Sequence, residues 1–178
     1  MRYKGEMSDR RGHDERKDLA GEHALSDIGQ LFLLFTFLTA WILDSFVFSY
    51  STFISNYVPL YVKVPLSVII LFSAGYLAKT GLSIVFGEIR EEPSVIRKGV
   101  FGIVRHPIYL GAILFYLGLL AITFSIIATG IWVLIIAFYY FNSKHEEKLL
   151  LDKFGEDYEE YKKEVPMLIP RMRRRGAP

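Results

Sequence analysis

At 178 residues, 52% hydrophobic and 15% aromatic, the chain is too apolar for an ordinary soluble domain. Its formal net charge of +2 is too small to point to a nucleic-acid partner, and the absence of cysteine excludes disulfides and thiolate metal sites.

The charges are segregated. Residues 28 to 50, 60 to 87, 107 to 123 and 125 to 141 are nearly free of them, whereas the first 27 residues, the 88 to 106 linker and everything beyond Asn142 are dense in charge. Each apolar block approaches the roughly 20 residues needed to cross about 30 Å of hydrocarbon. The pattern predicts an all-α polytopic membrane protein with about four transmembrane helices.

Residues 1 to 27 lack the apolar core and small-residue cleavage site of a signal peptide and read as a solvated tail without catalytic groups. Residues 28 to 178 then form a single membrane domain. The first span, Ile28 to Tyr50, holds one formal charge, Asp44, near its outer end, where it is expected to reach water. The second span begins around Lys63 and contains Lys79, both with stems long enough to carry their ammonium groups to an interface. Pro65 suits a helix start, where its missing N–H costs nothing. Gly75, Gly81 and Gly87 recur at six-residue steps and predict close helix approach rather than ligand access.

The third and fourth spans are separated only by Thr123-Phe124-Ser125, enough for a tight antiparallel hairpin. One continuous apolar helix of that combined length would overshoot a bilayer. Lys and Arg number six before the first span, four from Arg90 to Arg105 and nine after Asn142, with none in 49 to 62 or at the hairpin turn. The positive-inside rule places both termini and the 88 to 106 linker in the cytoplasm. The Arg171, Arg173, Arg174 and Arg175 cluster suits anionic lipid headgroups.

Past the fourth span a helix continues into water, because Leu150, Phe154, Tyr158, Tyr161 and Val165 keep one apolar stripe. Gly155 breaks it, Glu156 and Asp157 supply acids for a new first turn, Lys162 and Lys163 suit its last, and Pro166 and Pro170 end it.

Two stretches carry chemistry. Arg105-His106-Pro107-Ile108-Tyr109-Leu110-Gly111 concentrates a cation, an imidazole and a phenol against the start of the third span. An interfacial anchor needs only one such group, so the cluster points to a site at the bilayer surface. Glu146, one turn before Leu150 on the same helical face, points toward the packed side. A carboxylate there needs a cation or several donors, which Arg105, His106 or a cationic ligand could provide. Taken singly, His106 could cap a helix end, Tyr109 could join an aromatic belt, Arg105 could meet lipid phosphate, and the Glu146-Glu147 pair could be ordinary interfacial charges. Their joint spacing favours a site. No phosphate loop, GxSxG elbow, HExxH helix or internal repeat is present.

The pattern across residues 93 to 170 resembles the integral membrane methyltransferases related to isoprenylcysteine carboxyl methyltransferase and phospholipid methyltransferases. The resemblance rests on Val95-Ile96, Gly99-Val100-Phe101, Arg105-His106-Pro107-Ile108-Tyr109 with Gly111, Glu146-Glu147 after a hairpin, Phe154-Gly155, Tyr158, Tyr161, Val165-Pro166 and Pro170. It implies S-adenosylmethionine as cofactor, held in a cytosolic pocket built from about residues 88 to 170. By that resemblance Pro93, Ser94, Val95 and Ile96 contact the adenosyl part with Phe101 beside them. His106, Pro107, Ile108 and Tyr109 meet its polar groups, and Glu146 is its carboxylate partner. Arg105 and Glu146 are the expected catalytic residues.

Two positions depart from the family. Phe101 stands where the family usually has Tyr. Asn142, the expected substrate-binding position, stands where the prenylcysteine enzymes carry an Arg for the substrate carboxylate, and Lys144 or Lys148 would project differently from the helix. The expected reaction is methyl transfer to a lipophilic, membrane-delivered acceptor. The carboxylate of a prenylated cysteine comes first by family weight, and a phospholipid amine or a thiol remains open. A sterol-type NADPH-dependent reductase and a non-catalytic membrane interaction protein are the alternatives. The only other partners expected are membrane lipids, with no metal and no nucleic acid.

Overall fold

The computed structural model describes residues 24–87 and 94–170. The expected tail up to residue 23, Pro93 and the Arg171 to Arg175 cluster lie outside them. The expected all-α class holds: five α-helices, α1 Ala24–Ile42, α2 Leu60–Phe86, α3 Pro107–Thr123, α4 Ile126–Phe154 and α5 Glu156–Glu164, with no strand among the described residues. Helix α1 begins ahead of Ile28 and runs on through a π-helical turn, Leu43–Phe48.

Three segments, Ser26–Phe48, Leu60–Phe86 and Ile126–Phe154, are long and apolar enough to cross a membrane. Helix α3 is apolar too, but its 17 residues reach only about 25 Å. Three of the four expected spans thus have full spanning length, and the third expected span is a shorter apolar helix.

Helices α2 and α3 pack closely because both present small residues at seven-residue steps. Ser67, Ala74 and Gly81 are the buried positions of α2, and Gly111 and Gly118 are buried on α3. A Cβ on Gly111 would lie 3.0 Å from the Ala74 carbonyl oxygen, and Ser67 Oγ donates to the Gly118 carbonyl at 2.6 Å. Such a seam lets backbones approach where lipid gives apolar bulk no advantage. Of the three glycines expected to pack, only Gly81 does, against Ile108 and Pro107; a Cβ on Gly75 meets nothing, and Gly87 ends the helix.

The tight hairpin is as expected. Phe124 takes the left-handed conformation after α3, and the Ser125 side chain accepts from the Ala128 N–H to cap α4. Phe37 of α1 is fully buried between α3 and α4 in a core with Ile113, Tyr116, Leu120, Ala128, Ile135 and Tyr139, closed by Leu168 of the C-terminal segment.

Two sequence expectations fail at the hairpin end of the bundle. Asp44 does not reach water. It is buried, with Ser51 Oγ and Ser125 Oγ each donating to Oδ2 at 2.5 Å and Ser51 N to Oδ1 at 2.9 Å, because the π-turn swings the carboxylate inward onto the hairpin cap. Nor does Pro65 start α2. The helix begins at Leu60, with Pro59 accepting from the Val62 and Lys63 N–H groups, and Pro65 lies inside it. Lys63 turns back to Ser55, bonding its carbonyl at 3.0 Å and its hydroxyl at 2.7 Å.

Candidate functional site

At the opposite end of the bundle, α4 runs past the packed core to Phe154, where Gly155 with φ +55° breaks it and α5 begins. The expected stripe packs as read: Tyr158, Tyr161 and Val165 are buried together, with Leu150, Leu151, Phe154 and Val95 against them. Val95 is how the 94–98 loop is seated on α5. Arg97 reinforces it by donating to the Asp157 carbonyl at 2.6 Å and lying over the Tyr161 ring, and Tyr161 donates to the Phe101 carbonyl at 2.7 Å. Ser94, Val95, Ile96, Arg97 and Lys98 line an open cleft of ≈ 420 Å³.

After α5 the chain returns as a strap. The Pro166 and Met167 carbonyls accept from the backbone N–H groups of Arg105 and His106, at 2.9 and 3.1 Å. This contact fixes the start of α3, where Pro107 takes the first helical position and His106 precedes it without a side-chain cap bond. Freed from capping, the imidazole turns inward.

Arg105, His106, Glu146, Glu147 and Lys162 meet there. Arg105 Nε donates to Glu147 Oε1 at 2.8 Å and its second nitrogen lies 2.6 Å from the same oxygen, while its third donates to the Lys162 carbonyl at 3.0 Å and to that of Val165. Both partners are buried, with side chains 9% and 6% exposed. Lys162 Nζ lies 3.8 Å from the other Glu147 oxygen.

His106 sits between the two glutamates, Nδ1 3.4 Å from Glu146 and Nε2 3.4 Å from Glu147. The second contact lacks hydrogen-bonding direction, so Nε2 is a buried polar atom without a hydrogen bond. Burial opposes charge on the imidazole, yet the flanking carboxylates of Glu146 and Glu147 outweigh it and raise its pKa above the ordinary histidine value. Tyr109 stacks on His106, with ring planes 4° apart, and donates its hydroxyl to Glu146. Glu146 remains 26% exposed.

The sequence expectations sort accordingly. His106, Tyr109 and Glu146 are brought together. Of the partners open to Glu146, His106 meets it, whereas the Arg105 guanidinium is directed at Glu147 and two carbonyls. Pro107 and Ile108 pack toward Gly81 of α2 instead of into the polar cluster. Phe101 lies in a 3-10 turn, Gly99–Gly102, anchored through its carbonyl. Asn142 donates to Ser26 Oγ of α1 at 2.9 Å.

Glu147 and Ser26 carry roles that sequence reasoning did not give them. Glu147 adjoins Glu146 but lies about 100° further round the helix, and nothing local marks it as the partner of Arg105. Ser26 lies at the edge of a segment read as a tail; the one available signal was its position two residues before the first uncharged block.

Comparison with known proteins places these residues among relatives. A family model described as phospholipid methyltransferase matches residues 60–157, which takes in α2, α3, α4 and the Arg105 and Glu146 clusters. The chain is 31% identical over 88 residues to the protein-S-isoprenylcysteine O-methyltransferase of Schizosaccharomyces pombe, covering 49% of this chain and 37% of that protein. It is 34% identical over 89 residues to a methanethiol S-methyltransferase of a Pseudomonas species, covering 47% of this chain and 32% of that protein. The chain thus spans about a third of the length of these relatives.

Proposed function

The chain belongs to the phospholipid methyltransferase family, and from that premise we propose that it transfers a methyl group from S-adenosylmethionine to a lipophilic acceptor delivered through the bilayer. The observation that carries this reading is the Glu146 carboxylate, held by Tyr109 and His106 yet partly exposed, beside a neighbour already neutralised by Arg105. One carboxylate of the pair holds the fold; the other is available to a cationic ligand.

The residues present fit the cofactor. Glu146 suits its ammonium group and His106 offers a buried nitrogen without a hydrogen bond, while the separate cleft along residues 94–98 is lined by that loop alone. Phe101 stands at the end of that loop. S-adenosylmethionine supplies an activated methyl group on a sulfonium, so the protein's task is mainly to bind and align the two reactants. Tyr109 and His106 orient Glu146. Arg105 acts as a positioning residue that holds Glu147, the end of α5 and the strap in one arrangement.

A carboxylate acceptor, such as the prenylated cysteine that family weight alone puts first, would need no base. A thiol or a protonated amine would have to lose its proton before or during attack. Both termini and this end of the bundle face the cytoplasm in this reading, where the cofactor is available.

Thermal stabilisation of the detergent-solubilised protein by S-adenosylhomocysteine, with NADPH as comparison, tests it. A response at roughly micromolar concentration to the first alone is expected. A response to NADPH alone, or to neither, would refute the proposal.

A further inference from the structure

The end of the bundle away from the charged cluster is closed by polar contacts that a turn in water would not need. The first four N–H groups of α4 have no partner within their own helix. All four are met by other protein groups. Ile126 N donates to the Ser51 carbonyl at 3.3 Å and to Ser51 Oγ at 3.1 Å, and Ile127 N donates to the same hydroxyl at 3.1 Å. Ala128 N and Thr129 N donate to Ser125 Oγ and to the Ser125 carbonyl, each at 3.0 Å. Asp44 fixes both serines, accepting from each hydroxyl at 2.5 Å, and the Trp41 indole donates to Thr123 Oγ1 at 2.9 Å beside them. Water serves such donors at an exposed turn, whereas in hydrocarbon the protein itself must serve every one.

The depth of the turn agrees. Ala74 meets Gly111 and Ser67 meets Gly118, seven residues on along each helix, so Leu60 at the start of α2 stands level with Ser125. Helix α3 carries the chain only about 25 Å from the charged cluster, and that level falls short of about 30 Å of hydrocarbon. Lys63, just inside this level, sends its ammonium back to Ser55 in the 3-10 turn Phe53–Tyr57. The segment joining α1 to α2 thus forms the outermost layer, and residues 45 to 62 contain no Lys, Arg, Asp or Glu. Tyr50, Tyr57 and Tyr61 are 85%, 86% and 80% exposed, with Phe46, Phe48 and Phe53 exposed among them. An uncharged surface of phenols and phenyl rings matches the boundary of a lipid leaflet, where the ring lies in lipid and the hydroxyl reaches water.

We propose that residues 46 to 61 are a lipid-binding surface lying in the membrane interface opposite the charged cluster, with the α3–α4 turn submerged beneath it and sealed by Asp44, Ser51 and Ser125. The partner is the ester and headgroup boundary of that leaflet. Most of this surface precedes residue 60, where the family match begins, and the inference does not depend on methyl transfer.

The chain has no cysteine, so one introduced thiol carries a single nitroxide label. Ile127→Cys and Tyr57→Cys are labelled in the full chain in phosphatidylcholine vesicles. Phe35→Cys on α1 and Asp152→Cys on α4, both at exposed positions, give the hydrocarbon and water references. Collision with oxygen, which partitions into lipid, is compared with collision with a water-soluble nickel chelate. At position 127 nickel collision is expected to be at least about tenfold lower than at position 152, with an oxygen-to-nickel ratio near that of position 35. At position 57 the ratio should fall between the two references. Ile126→Cys and Phe53→Cys serve where the first variants do not accumulate as folded protein. Nickel collision at the turn within about twofold of position 152 would put it in water and overturn the proposal. So would a position 57 label that matches either reference, or one shielded from both reagents, which would mark a protein partner on this surface.

Discussion

The adjacent glutamates should fail in opposite ways. Glu147 is buried against a buried guanidinium and beside His106, so Glu147→Gln leaves the Arg105 charge without its counter-ion in a site closed by the strap. Breaking one partner out of a buried ion pair costs about 3–5 kcal/mol. At about 2–4 °C per kcal/mol for a chain of this size, the thermal midpoint should fall by roughly 6–20 °C. Glu146→Gln keeps an oxygen for the Tyr109 hydroxyl and is partly solvated, so its cost should stay under about 1 kcal/mol while the S-adenosylhomocysteine response disappears. The double substitution Arg105→Met with Glu147→Leu should recover part of the stability lost in Glu147→Gln, because both charges leave together. Recovery stays incomplete, since the Lys162 and Val165 carbonyls lose their donor. The assay is thermal unfolding in detergent with and without S-adenosylhomocysteine. Equal midpoints for the two single variants, or a Glu147→Gln protein that melts within about 2 °C of the wild type, would refute this division of roles.

His106 makes stability depend on pH. Its folded pKa is raised, so the stabilisation is complete below the unfolded value of about 6.5 and is lost as pH rises through the higher folded value. Midpoints measured from about pH 5.5 to about pH 9 should show that loss in the wild type and less of it in His106→Gln; parallel curves would remove the cause. At the α2–α3 seam, Gly111→Ala should cost about 1–3 kcal/mol, because its Cβ would press on backbone atoms of Ala74 and Ala78. Gly75→Ala, with open space around it, should be neutral or stabilising by up to about 1 kcal/mol in the same unfolding measurement. Asp44→Ala should cost about 1–3 kcal/mol by stranding the Ser51 and Ser125 donors, and Asp44→Asn should cost less; equal losses would argue against the carboxylate as their common acceptor.

Features that depend on local sequence could be read before the structure. The 123 to 125 turn, the break at Gly155, the apolar stripe through Tyr158 and Tyr161 and the cluster at residues 105 to 109 each follow from composition or period over a few residues. Features that depend on which helix faces which could not. Asp44 sits near a span end, where water is the default partner, and only the π-turn and the distant Ser125 reveal an internal one. Glycine spacing marked Gly75, Gly81 and Gly87, but the working seam combines Ser67, Ala74 and Gly81 with Gly111 and Gly118 on another helix. Arg105 found Glu147 and not Glu146 because one residue along a helix is a rotation of about 100°, finer than any charge pattern specifies.

The hairpin explains how so short a turn governs so distant a site. From the left-handed Phe124, α3 and α4 run back antiparallel, and cross-contacts step outward in register: the Trp132 indole donates to the Ile113 carbonyl, the Tyr109 hydroxyl to Glu146, and the Arg105 guanidinium to Glu147. The first of these holds the core and the last two build the site, so the charged cluster is the open end of a ladder whose closed end is the Ser125 cap. Helix α2 stiffens one rail through the small-residue seam. Helix α1 braces the other at Gly29 and Phe138, and sets Ser26 against Asn142 as it does so. The 94–98 loop is seated on α5 instead, through Val95 and Arg97. Helix α5 itself is tied to the hairpin, because Arg105 donates to the Lys162 and Val165 carbonyls while it holds Glu147.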